Sequence, residues 1–256
     1  MNVSPNDPEA SPAELPGSPA AAAPAWLGHL EAHGYALAPD VLAPDQVDRV
    51  TDAVAAAAGE GVRRRESVYA IRNLLEVVPE VRALARSEAV RALVRPVLGE
   101  GCFAVRGILF DKTPDANWKV TWHQDLSIAV RERREVAGFG PWSEKAGVAH
   151  VQPPAAVLER MLTVRLHLDP CGPENGPVNV LPGSHAAGRL DADGINGWRS
   201  SRPAVPACSG RGGALLMRPL LLHASSPASV AAHRRVVHLE FAADELPGGL
   251  EWHGRW

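Results

Sequence analysis

From residue 103 onward the sequence breaks into short apolar, β-branched runs fenced by Gly, Pro and Asn. They are FAVRGILF (103–110), VTWHQDL (120–126), LTVRLHLD (162–169), ALLMRPLLLHAS (214–225) and RRVVHLEF (234–241). Such runs read as strands. Upstream the period changes. Pro44 opens a helical pattern with Val47, Val50, Val54 and Ala57 on one face, closed by Gly59, and Glu80 to Leu98 reads as a second helix ending before Gly99. Helices followed by strands predict α+β or mostly-β architecture around a closed or double-sheet β core. No internal repeat interrupts this order.

Two of the strands alternate in an informative way. In RRVVHLEF, Arg234, Val236, His238 and Glu240 share one face, and Arg235, Val237, Leu239 and Phe241 the other. In LTVRLHLD, Thr163, Arg165 and His167 oppose Val164, Leu166 and Leu168. A polar face turned to water and a barrel with a polar interior under covering helices give the same pattern, so periodicity leaves both open.

Residues 1–25 are rich in Pro and Ala with no aromatic residue, Lys or Arg, which predicts a disordered tail before one domain over 26–256. The tail lacks the basic start and apolar stretch of a signal peptide, and no run is long enough to cross a bilayer, so the expected location is cytoplasmic. Residues 127–160 form a long connection between strands, containing VRERREV, GFGPWSEK and a short helix at AAVLERM. Its length and its aromatic residues Phe139 and Trp142 predict a lid-like insertion.

The 26 Lys+Arg and 29 Asp+Glu leave a formal charge of −3 with no basic block, which argues against a bulk electrostatic grip on nucleic acid or anionic lipid. Cys102, Cys171 and Cys208 lie far apart, so neither a disulfide framework nor a thiolate zinc site is expected. Ten histidines against three cysteines point any metal toward imidazole and carboxylate ligands.

His123 and Asp125 stand two apart in VTWHQDL, and in a strand they would present an imidazole and a carboxylate to one side. That suits a metal ion. It equally suits two solvated residues on a surface strand. His223 ends the apolar run ALLMRPLLLH, is followed by Ala-Ser-Ser-Pro, and stands eleven residues before Arg234.

The order His-x-Asp, then LHLDPCGPENGPVNVLPGSH, then HASSP with an Arg eleven residues beyond the His, resembles the phytanoyl-CoA dioxygenase family from about Gly34 to Phe241. The Pro-Glu-Asn-Gly turn (173–176) and Leu-Pro-Gly-Ser-His (181–185) are its most specific parts. The resemblance implies a mostly β fold with flanking helices around a double-stranded β-helix, and dependence on Fe(II), 2-oxoglutarate and O2. It implies that His123, Asp125 and His223 are the iron ligands, a two-His, one-carboxylate facial triad with open positions. Arg234 would take the distal carboxylate of 2-oxoglutarate, helped by Ser225, because a guanidinium matches a carboxylate with two parallel hydrogen bonds. Arg235 competes but sits on the opposite face. Gln124 matches a position that contacts the cosubstrate in some relatives. Pro170 stands where relatives often carry a second acidic residue.

Lys112, Trp142, Arg165, His167 and His238 are candidates for substrate contact, with Trp118 and His150 beside them. His185 is read as structural, and His29, His33, His233 and His253 as solvent-exposed. The implied activity is hydroxylation of an unactivated carbon of a small organic substrate, with 2-oxoglutarate converted to succinate and CO2. Halogenating relatives lack the carboxylate ligand, which Asp125 supplies here. Desaturation, cyclisation and epimerisation use the same triad. The alternatives are a non-catalytic ligand-binding or interaction module on the same barrel, or a different metal serving a hydrolase or isomerase. A mere scaffold has no use for His123, Asp125, His223 and Arg234 together.

Overall fold

The computed structural model describes residues 24–230 and 232–256; the expected tail falls almost wholly outside them, and its last residue, Ala25, already opens the first helix. The helical half comes first: α1 (Ala25–His33), β1 (Tyr35–Ala38), α2 (Pro44–Ala56), β2 (Val62–Arg64), β3 (Val68–Ile71), α3 (Leu74–Val77), α4 (Pro79–Ala85) and α5 (Glu88–Leu98). In α2, Pro44 sits at the first position and the Gln46 side chain accepts from the Ala43 N–H, while Val47, Val50 and Val54 are buried. The single helix expected over 80–98 is two. Ser87 caps α5 by accepting from the Val90 N–H, and a side chain that bonds its own backbone there favours a break over continuation.

The strands follow as β4 (Phe103–Asp111), β5 (Val120–His123), β6 (Ile128–Val130), β7 (Trp142–Lys145), β8 (Val148–Val151), α6 (Ala155–Leu158), β9 (Leu162–His167), β10 (Val178–Val180), α7 (Ala192–Ser201), β11 (Val205–Ala207), β12 (Ala214–Met217), β13 (His223–Ser225) and β14 (Arg235–Ala242). They form a seven-stranded sheet in the order β1-β12-β9-β14-β4-β3-β2 and a four-stranded sheet in the order β11-β10-β13-β5. Every pairing is antiparallel. This is the mostly β, double-sheet core with flanking helices that the sequence led us to expect.

The run 214–225 is not one strand. β12 ends at Met217, Pro219 has no N–H to continue a ladder, and the chain turns through Leu222 so that His223 opens a strand of the other sheet. Residues 127–160 form a third antiparallel sheet, β6-β8-β7, followed by α6. Ile128, Val130, Phe139, Val151 and Leu158 join Phe103 and Trp252 in its own apolar cluster.

The alternation left open by the sequence resolves to two buried faces. Val164, Leu166, Leu216, Val237 and Leu239 turn outward under α2 to α5 in the main core. The opposite face carries Thr163, Arg165, His167, His238 and Glu240, all buried and turned toward the four-stranded sheet. Among the described residues no helix is long and apolar enough to cross a membrane, and all three cysteines are free.

Helix α3 lies close on the outward face of β4, where Gly107 leaves room for it. A Cβ at Gly107 would stand 2.8 Å from Leu75 Cγ and 3.4 Å from Leu74 Cβ. Gly107→Ala is therefore expected to destabilise the protein by about 1–3 kcal/mol through overpacking. Its urea midpoint would fall; an unchanged midpoint would show that α3 shifts freely.

Candidate metal centre

The pairing of β13 with β5 sets His223 directly opposite His123, with ring centroids 4.2 Å apart. Each ring has its Nδ1 on the backbone carbonyl two residues earlier, His123 on Thr121 (2.8 Å) and His223 on Leu221 (2.9 Å). A carbonyl only accepts, so the proton lies on Nδ1 and the Nε2 lone pair faces the site. Asp125 is not on the strand, as the two-residue alternation implied. β5 stops at His123, and the Asp125 N–H donates to the carbonyl of Pro219. That loop contact brings its carboxylate to 3.7 Å from His123 Nε2 and 3.8 Å from His223 Nε2.

The donor set fits a metal ion. The three ligand atoms lie within 4.8 Å of one another, a spread that imidazole and carboxylate bonds of about 2.1 Å can span. Asp125 Oδ2 is buried without a hydrogen-bond partner. Burial pushes the Asp125 pKa up, but His223, His238, His123 and Arg165 outweigh it and hold the pKa at about 2. Burial lowers His223 to about 4, against the pull of Asp125. The result is an ionised carboxylate beside a neutral imidazole at neutral pH, the protonation states that ligation requires.

Gln124 lines the cavity beside the ligands. Its amide donates to the carbonyls of Leu220 and Gly188 and accepts from the Leu190 N–H. It fastens the 188–190 segment there, with both amide donors committed to backbone carbonyls.

A cavity of about 420 Å³ opens from the triad between the two sheets. At one end Arg234 is buried, with Nη1 donating to Gly176 O at 2.6 Å and Nε without a partner. Ser225 Oγ also donates to Gly176 O, at 2.9 Å, and accepts from Lys112 Nζ at 2.7 Å; Lys112 donates to Ser226 O as well. Burial, then Arg234, lower the Lys112 pKa to about 8. The Pro-Glu-Asn-Gly motif is the turn that delivers this acceptor. Gly176 is left-handed at φ +63°, and a Cβ there would stand 2.4 Å from Ser226 O. Among the described residues neither Arg234 nor Lys112 has a carboxylate within ion-pair distance of its side-chain nitrogens, although buried charges are ordinarily paired.

Arg235 faces away and grips Asp169 with two side-chain hydrogen bonds of 2.8 and 2.7 Å. Arg165 and His238 lie on the cavity floor. Arg165 Nη1 donates to His238 Nδ1 at 2.7 Å, His238 Nε2 faces Glu240 at 3.3 Å, and Arg106 donates to the same Glu240 oxygen at 3.1 Å. Trp118 also lines the cavity. His167 is buried beside Arg165 and Arg234 with both ring nitrogens unpartnered, and it is not on the cavity wall.

Trp142 stands away from the cavity, stacked under Arg133 at 5.6 Å and packed on the insertion's own cluster. His150 is buried behind the sheet with Nδ1 on Val148 O. His185 bonds Glu31 O, as a structural residue would. His233 and His253 are not merely solvated, because they reach Asp111 at 2.7 Å and Glu76 at 2.8 Å. Arg106, not among the residues the sequence singles out, alternates with Ile108 and Phe110 into the cavity. Its period-two position in FAVRGILF was the available signal.

A family model described as phytanoyl-CoA dioxygenase matches residues 30–236. No curated protein matches. Among solved structures, AviO1 from Streptomyces viridochromogenes Tue57 superposes with a TM-score of 0.61 at 22% identity, covering 90% of this chain and 98% of that one. EctD from S. alaskensis, crystallised with 2-oxoglutarate and 5-hydroxyectoine, gives 0.65 at 19% identity over 84% of this chain and 74% of that one. SnoN, the non-heme alpha ketoglutarate dependent epimerase from nogalamycin biosynthesis, gives 0.62 at 17% identity over 88% and 89%. At these identities the likeness is one of fold.

The buried histidines make a stability prediction. Burial, then Arg106, lower His150 to about 4. An unfolded imidazole titrates near 6.5, so as pH falls from about 6.5 to 4 the unfolded chain gains a proton that the folded one refuses. Stability is then lost with acid through that window and levels off below it. At pH 5 the loss from His150 is about 2 kcal/mol. In urea melts at pH 7.5 and 5, His150→Gln is expected to narrow the difference between the two pH values by about that amount. An equal difference in both proteins would refute this account.

Proposed function

The chain belongs to the phytanoyl-CoA dioxygenase family, and on that premise we propose that it is an Fe(II)- and 2-oxoglutarate-dependent oxygenase that hydroxylates an unactivated carbon of a small organic substrate. Succinate and CO2 are the co-products. The observation that carries this reading is the pairing of a His-Asp-His ligand set with two buried cations, Arg234 and Lys112, that have no carboxylate partner of their own. A dianionic cosubstrate supplies the missing charge.

His123, Asp125 and His223 would hold the metal, a two-His, one-carboxylate set that leaves room for further ligands from the cavity. Bound there, ferrous iron supplies the activation of O2 and the removal of a hydrogen atom from the substrate carbon. Arg234 takes the distal carboxylate of 2-oxoglutarate with its unpartnered Nε edge, and Lys112, held by Ser225, adds a second donor. This moves Lys112 from the substrate's side to the cosubstrate's. Gly176 O orients both the guanidinium and the Ser225 hydroxyl. Ile108, Phe110 and Trp118 present the apolar part of the wall against which substrate displaces water. Three free cysteines fit a cytoplasmic setting.

A second outcome on the same site, stereochemical inversion without net oxygen insertion, has one support: the likeness in fold to the epimerase SnoN. Product mass separates the two, since hydroxylation adds one oxygen atom and epimerisation none.

With Fe(II), ascorbate and 2-oxoglutarate the protein should form succinate, and EDTA should stop it. Asp125→Ala is expected to abolish turnover. Arg234→Ala should weaken 2-oxoglutarate binding at least 30-fold, the scale for removing one partner of a buried charged pair. Arg234→Lys should not restore it, because an ammonium lacks the planar fork. If wild-type protein neither binds 2-oxoglutarate nor forms succinate, the oxygenase reading fails.

A further inference from the structure

The end of the cavity opposite Arg234 carries a second concentration of positive charge. Arg106 on β4, Arg72 just after β3 and Lys145 at the end of β7 all line it. One carboxylate answers them: Glu240 accepts from Arg106 at 3.1 Å. Lys145 Nζ reaches only the Ser127 hydroxyl, at 2.9 Å, and Arg72 forms no ion pair among the described residues. The remaining carboxylate on the cavity wall, Asp125, belongs to the metal ligands.

The three cations act on one another. Arg72 and Lys145 are both held below their ordinary pKa values, first by burial and then by Arg106. Three like charges around one carboxylate destabilise a fold, and here they come from three separate segments, one of them in the 127–160 insertion. Arg106 and Lys112 stand six residues apart along β4 and its continuation, roughly 20 Å at the rise of a strand. The metal ligands share the cavity with the stretch between them, where Ile108 stands opposite His238 and His238 accepts from Arg165.

We infer that the substrate is a small organic acid whose terminal oxyanion, a carboxylate or a phosphate, is held by Arg72, Arg106 and Lys145 at the pole of the cavity opposite the 2-oxoglutarate site. This names the substrate class for the oxygenase reading and rests on it. Arg106 is already oriented by Glu240, so its free edge is presented without reorganisation, while Arg72 and Lys145 complete the grip from the rim. Lys145 belongs to the 127–160 insertion, outside the double-sheet core, whereas Arg106 and Arg72 lie on and beside strands of the seven-stranded sheet.

The test compares three probes of similar size: phenylacetate, phenyl phosphate and the neutral phenylacetamide. Each is titrated calorimetrically into protein loaded anaerobically with Fe(II) and 2-oxoglutarate, and into metal-free protein. At least one acid should bind ten-fold or more tighter than the amide; phenylacetate ahead identifies a carboxylate, phenyl phosphate ahead a phosphate ester. Arg72→Gln, at an exposed position, and Lys145→Gln, at a half-buried one, should each bring that ratio toward one, and Lys145→Arg should retain it. Equal binding of all three probes, or a ratio unmoved in both Gln variants, overturns the inference. Failure of wild-type protein to bind 2-oxoglutarate overturns the oxygenase reading instead, and the loss of acid preference in metal-free Arg72→Gln and Lys145→Gln proteins still decides whether the anion pole exists.

Discussion

Two aspartates, Asp111 fully buried and Asp169 half-buried, fix the start of the strand on which the site is built. Asp111, at the end of β4, accepts from the Arg234 N–H at 2.9 Å, and Asp169, just beyond β9, accepts from the Arg235 N–H at 2.8 Å. β4 and β9 are the two neighbours of β14, so each carboxylate ties β14 to the strand it pairs with. The register that follows decides everything inward of it. Arg234 turns to the cavity and Arg235 to Asp169; His238 meets Arg165, and Glu240 meets Arg106. A shift by one residue would exchange these faces, putting Leu239 and Val237 into the cavity and burying the charges among the helices. Burial raises the Asp111 pKa, which His233 and the Arg234 N–H partly offset, so its partners hold this anchor against the cost of burial.

Much of this was legible in the sequence, and the physical reason is periodicity combined with spacing. The strand cores at 103–110, 162–169 and 234–241 stand close to where the alternation placed them, because burial of both faces enforces it over several residues. What alternation could not supply was where a strand leaves one sheet for another. The run through 214–225 reads as one strand because its apolar residues are continuous, yet Pro219 makes it two, and His223 opens the second instead of closing the first. Asp125 shows the same limit on a smaller scale. A backbone bond to Pro219, distant in sequence, places its carboxylate beside the two imidazoles, and no local rule predicts it.

The residues beyond the ligand set were less legible because their roles depend on which partner the fold brings to them. Lys112 looked like a wall residue and is the neighbour of Arg234. Trp142, the most conspicuous side chain of the long insertion, packs on the insertion's own cluster, whereas the less conspicuous Lys145 reaches the cavity. Arg106 went unnoticed among apolar neighbours, although its period-two spacing from Ile108 and Phe110 put it on the same face. Composition held only the coarse fact that histidines outnumber cysteines. Three of those histidines, at 150, 167 and 223, share a different property: burial has stripped them of the ability to charge at neutral pH.

The run of β4 through the floor of the cavity has one further consequence. Arg106, Ile108 and Phe110 follow one another at the fixed spacing of a strand, so the cavity is graduated by its own backbone. If a substrate is tethered by its charged end at Arg106, the carbon presented to the metal is selected by counting from that end, as on a ruler. The held acid would then set regiochemistry whatever the chain length: each added methylene would move oxidation one carbon farther from the terminus that is not held, leaving its distance from the acid unchanged.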